Sequence, residues 1–158
     1  MANIYGVNHT AQYVTIPSQK FSVGDFGGRV RAIIDQYVAA GAITSGDKLY
    51  LGKIPKGAKV IGGMLSHGDL GTTGTAKMGW GASAELDSAG VAVEAADDDG
   101  LIASIDLNTA ANVPFMWENV PTPGMFKDFA AEVDVILEFT ASTTAAGTIN
   151  SCVLVVVD

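Results

Sequence analysis

The residues of this chain best suited to chemistry are His9 and His67, Cys152 and the run Asp97-Asp98-Asp99. A metal centre built on histidine needs closely spaced imidazoles with a carboxylate to complete the coordination sphere. His9 and His67 stand far apart, and the predicted place of His67, followed by Gly68 and Asp69, is a surface or a turn. The aspartate run invites calcium, but a calcium loop of the EF-hand kind alternates its ligands and closes on a glutamate at its twelfth position. Asp97 to Gly100 shows no alternation, so a solvated turn is expected there. A lone cysteine excludes an internal disulfide and any cysteine-built metal site. Within Ile149 to Val157 it is expected to be a small buried apolar side chain.

Other reactive arrangements fare no better. The glycine-rich stretches Gly24 to Gly28 and Gly68 to Gly74 lack the Lys-Ser/Thr of a phosphate loop and the dinucleotide spacing, so they are predicted to be turns. No serine sits in a Gly-x-Ser-x-Gly elbow, and carboxylate pairs of the glycosidase kind meet only in a fold, so spacing singles none out. The expectation is a protein without catalytic residues, cofactor or metal.

Composition points the same way. The chain has 158 residues, 48% of them hydrophobic and 16% charged, enough to build one core-forming domain. Its apolar runs are short and none approaches the ~18 residues of a membrane span, so no membrane partner is expected. Met1 to Gly6 shows no secretory pattern, which makes synthesis in a cytoplasm the expectation. The net charge of −8 is unevenly spread. Residues 1 to 77 carry eight basic and four acidic residues, whereas residues 78 to 158 carry one and thirteen, giving +4 and −12. In a compact β fold the two halves interleave, so the asymmetry is read either as a merely solvating surface or as opposed patches that steer neighbouring subunits together, while the acidic total opposes nucleic acid.

The elements that must position any site are strands. Residues 1 to 28 mix aromatics and polar residues without a period and read as an extended N-terminal arm. Tyr5, Tyr13, Ile16 and Phe21 are its candidate interface residues, because a free tail should not expose so many apolar groups. Over Arg29 to Ala39, Val30, Ala32, Ile34 and Val38 share a face at period two, while Val30, Ile33, Ile34, Tyr37 and Val38 also satisfy a helical template; the β-branched content and the strands downstream favour a strand. Lys48 to Ile54 and Lys59 to Leu65 follow as strands around the turn Pro55-Lys56-Gly57, the second with a glycine pair suited to a bulge. Ala76, Met78, Trp80 and Ala82 share one face of a further strand, and Gly90 to Glu94 forms another. Asp97 before Leu101, Ile102 and Ile105 predicts one short helix with an aspartate cap. Pro114 to Glu118 is extended. Glu132 to Thr140 alternates most clearly, with Ile136 the exception, and Thr148 to Val157 is apolar on both faces, as a central or covered strand would be. These last two are expected to form a hairpin. The sum is an all-β antiparallel sandwich with an N-terminal arm, 1–28, and one domain, 29–158.

The block Asp47 to Leu65, then Ala76-Lys77-Met78-Gly79-Trp80-Gly81-Ala82, and the closing Val153-Leu154-Val155-Val156-Val157-Asp158 resemble small head proteins of tailed bacteriophages, specifically a capsid decoration or cement protein. The resemblance implies a jelly-roll domain, commonly a homotrimer, on the outer capsid surface of the virion, clamping neighbouring subunits of the major capsid protein. The alternative is a carbohydrate- or receptor-binding module of a fibre or tail, with Trp80 or Trp117 as a sugar platform. Both tryptophans are expected to serve core or interface instead.

Overall fold

In a computed structural model of the protein, the described residues are 28–115, 124 and 126–157. They form eight strands: β1 (Arg29–Ala39), β2 (Lys48–Ile54), β3 (Lys59–His67), β4 (Thr75–Trp80), β5 (Asp97–Asp106), β6 (Ala111–Pro114), β7 (Val133–Ala141) and β8 (Gly147–Val157). Two four-stranded sheets result, in the orders β1-β8-β3-β6 and β2-β7-β4-β5, with every pairing antiparallel. We call them the β8 sheet and the β7 sheet after a central strand of each. Apart from β4 to β5, consecutive strands cross from one sheet to the other, which makes the domain a jelly-roll-like sandwich.

Alternation of side chains explains why the sheets stack. On β7, Val133, Val135, Leu137 and Phe139 point inward and are buried, and on β8 the inward set is Ile149, Ser151, Val153 and Val155. Each large apolar side chain so buried contributes roughly 1.5–3 kcal/mol. Loop residues complete the core: Leu70, Leu107, Phe115 and Phe129 are all buried. The bulge falls in β3 as the glycine pair suggested, with the register to β8 shifting between Val60 and Gly62, and Gly62 has φ 148°.

Three expectations fail. β7 and β8 are not a hairpin: β7 lies between β2 and β4, and β8 lies between β1 and β3 in the opposite sheet. Between them Thr143 is buried, exchanging two hydrogen bonds with Ile43, its backbone N–H donating to the Ile43 carbonyl and its hydroxyl accepting from the Ile43 amide. No helix forms among the described residues, and the segment from Asp97 is strand β5. Leu101, Ile102 and Ile105 are all buried because the β4–β5 ladder shifts register on both sides of Met78, and irregular pairing mimics helical spacing. Finally, Gly90 to Glu94 forms only an isolated bridge, Leu86 to Ala92, around a turn at Gly90. β1 and the central position of β8 are as expected. Of the arm only Gly28 is described, so the division at residue 28 lies outside what the structure describes.

Candidate assembly surfaces

The outward face of the β7 sheet is ionic. Lys48 of β2 and Lys77 of β4 both stand opposite Glu138 of β7. The Lys48 ammonium lies 3.1 Å from Glu138 and 3.2 Å from Asp98 of β5, and Lys77 lies 3.8 and 3.9 Å from the same two carboxylates. Hydrogen bonding to Glu138, against some desolvation and with help from Asp98, raises the Lys48 pKa above its ordinary value. Burial acts to raise Asp98, but Lys48, Glu138 and Lys77 outweigh it and hold that carboxyl below the usual range. Asp97 moves the other way, pushed up first by burial and then by Asp99. Lys53 bridges Glu132 at 3.0 Å and Asp134 at 3.5 Å, Lys56 bridges Glu85, and Lys59 bridges Asp128. The lysines between residues 48 and 77 therefore find acids from the second half of the chain. Much of the charge asymmetry is neutralised inside one molecule, because the strands of the two halves alternate within each sheet.

The outward face of the β8 sheet is different. Val30, Ile34 and Val38 of β1 are 60%, 74% and 63% exposed. Register places Ile34 beside Cys152, and Cys152 beside Met64, itself exposed. Leu154 and Ala32 pair in the next outward position. Between Ile34 and Val38 the surface turns polar, where the Gln36 side-chain amide donates to the Asn150 amide oxygen at 2.7 Å, with Ser66 next to Asn150 in β3. β1 is also largely bare on its other side: Arg29, Arg31, Asp35 and Tyr37 are exposed, while Ile33 is tucked against the core and Ala39 is buried at the strand's end. Arg29 and Arg31 have no ion-pair partner among the described residues.

With this geometry in hand, comparison with solved structures is informative. The chain has the fold of phage capsid components. It superposes on a chain from the capsid of Ralstonia phage GP4 with a TM-score of 0.64 and 20% identity, over 96% of each chain. It superposes on a chain of the cyanophage Pam1 capsid asymmetric unit with a TM-score of 0.56 and 21% identity, over 84% of this chain and 88% of that one. No protein-family model matches the chain, and no curated protein does.

The residues singled out in the sequence scatter in this fold. Trp80 is buried, its indole N–H donating to the Ala95 carbonyl at 2.9 Å and its ring meeting Phe129 edge-on at 5.0 Å between centroids. Gly100 and Gly124 stand so close to that ring that an added Cβ would strike it. Trp80 is a core anchor and offers no face to a sugar. His67 is buried too, contrary to its expected surface position: it ends β3 on the inward side, donating from Nδ1 to the Gly68 carbonyl at 2.9 Å. Its Nε2 has no hydrogen-bond partner among the described residues. Asp97 to Asp99 open β5 and are no solvated turn, because Lys48 and Lys77 supply countercharge to Asp98 there. Cys152 is half-buried and points outward, the opposite of its expected core position. Tyr5, Tyr13, Ile16, Phe21, His9 and Trp117 lie outside the described residues.

An open cleft of about 310 Å³ lies between the end of β1 and the start of β2, lined by Tyr37, Ile43, Asp47, Lys48, Leu49 and Phe139. Its charged groups are already engaged, Asp47 with the Thr44 amide and Lys48 with Asp98 and Glu138. No group of three or more metal-ligating side chains forms among the described residues. What sequence reasoning missed is the apolar outer surface. The period-two signal of Val30, Ala32, Ile34 and Val38 was visible, but such a face usually belongs to the core.

Proposed function

We propose that this chain is a structural virion protein that decorates and stabilises the outer surface of a phage capsid as a homo-oligomer, a trimer, held to the major capsid protein. The observation that carries this reading is the extent of the likeness to the GP4 capsid chain, which spans 96% of both molecules and leaves little of either for another architecture. The physics is compatible. A decorating protein needs repeated modest contacts and no reacting centre, and each engaged subunit of an oligomer raises the local concentration of the next. Tyr5, Tyr13, Ile16 and Phe21 are proposed as part of the contact, since they add exchangeable apolar area ahead of β1. Neither nucleic acid nor membrane is needed in this role. Cosedimentation with undecorated capsids tests it: the protein should pellet with assembled shells and remain in solution with isolated capsid monomers. Failure to bind shells would remove the proposal.

A further inference from the structure

We infer that β1 and the outer face of the β8 sheet form the contact between copies of this chain, with a second copy as the occupant. The inference rests on the homo-oligomer part of the reading above and supplies its surface.

Three observations select this place. An edge strand of eleven residues that is apolar on its outward face, exposed, and unpaired along one side among the described residues invites association unless something covers it. The apolar row Val30, Ala32 and Ile34, extended by Met64, is bounded by the polar Gln36–Asn150 pair, with Val38 beyond it, the mixture of apolar centre and polar border that marks contact sites. The opposite outer face is closed to this use, because its lysines and carboxylates already satisfy one another.

Charge selects the occupant. The five lysines from Lys48 to Lys77 are engaged within the chain, which leaves Arg29 and Arg31 as cations on the far side of β1 without a carboxylate among the described residues. A second copy brings exposed carboxylates that have no ion-pair partner among the described residues, Asp69, Asp87, Asp99 and Asp106, and these can meet the two arginines. A segment lying flat on the outer face would cover the valines and Ile34 but leave these arginines and Tyr37 bare. A folded subunit that grips β1 from both sides covers all of them, and stable pairs bury about 800 Å² on each partner. Such a contact joins unlike surfaces, apolar and basic on one copy and acidic on the next, and unlike contacts form a ring such as a trimer where the rotation between copies closes.

Cys152 provides the probe, since it stands in the outer face between Ile34 and Met64. The full-length protein is expected to have a mass that is a multiple of 16.2 kDa by light scattering, with Cys152 slow towards a thiol reagent such as dithionitrobenzoate. Ile34→Asp and Arg31→Glu, on opposite sides of β1, should each yield folded monomer by circular dichroism, with Cys152 reacting at least about tenfold faster in both. Tyr50→Asp, at an exposed site on the other sheet, should leave mass and reactivity unchanged. The inference is overturned if the wild type is a monomer with a reactive Cys152, or if both β1 variants keep the oligomer. It is equally overturned if protection persists in dilute monomer, which would assign the face to residues 1–27 of the same chain, or if protection arises only on shells. Shell binding is measured separately, so loss of the copy-to-copy contact and loss of the decoration role are distinguishable.

Discussion

On the outward side of β7, Glu138 has a lysine opposite it on each neighbouring strand. On the outward side of β8, Cys152 has Ile34 on one side and Met64 on the other, both exposed. The two sheets share strand number and antiparallel pairing, and both central strands send their inward residues into one core. Their outer faces have diverged completely. An ion-paired surface is content in water and gains little from a partner, whereas exposed valine and isoleucine gain from every Å² removed from solvent. The contrast teaches that burial pattern alone under-describes a sandwich: two sheets that fill one core can present opposite chemistry to solvent.

The comparison can be broken most severely from beneath. Leu137 faces the shared core, and Leu137→Ala should cost about 2–5 kcal/mol in denaturant unfolding, loosening both outer faces at once. Gly79 sharpens the difference, because a Cβ there would strike the backbone of Asp97 and Asp98. Gly79→Ala should cost roughly 1–3 kcal/mol and, by hydrogen exchange, should loosen β4 and β5 while β1 and β8 keep their protection.

Smaller effects separate the faces by their response to pH and salt. The Asp98 carboxyl is held below its ordinary value, so the stability it contributes is present above the unfolded pKa near ~4 and is lost as the pH falls through the lower folded value. Asp98→Asn should therefore cost about 1 kcal/mol at neutral pH, shrink in high salt and vanish in strong acid, as read by thermal unfolding. Asp97 has the opposite sign: its folded pKa is raised, so ionisation at neutral pH opposes folding. Asp97→Asn should stabilise slightly, by up to about 0.5 kcal/mol at pH 7, and the gain should disappear on acidification. A thermal-unfolding series in which both aspartate variants shift the same way would erase the distinction between these neighbours.

How much of this was legible in the sequence differs from element to element. Residues 133 to 139 alternate so cleanly that β7 and its inward face could be read directly, and apolar residues on both faces of 148–157 marked β8 as central. β5 could not be read, since aspartates disfavour strands and Leu101, Ile102 and Ile105 have helical spacing. Lysines distant in sequence and the irregular β4–β5 ladder override both signals. The candidate surface was half legible. The apolar face of β1 was apparent, but not that it points to solvent.

From the order of residue types alone follow the all-β class, the strand periodicities, the turn at Pro55 to Gly57 and the unequal charge of the two halves, because backbone preference and side-chain alternation act within a few neighbouring residues. Which strands pair, and therefore which alternating face becomes core, is a long-range choice. Only the tertiary structure placed β7 and β8 in opposite sheets, joined the lysines to the acids of the second half, turned Trp80 and His67 inward and left Ile34 outside. Those outcomes depend on contacts between residues about a hundred positions apart, which local spacing does not encode.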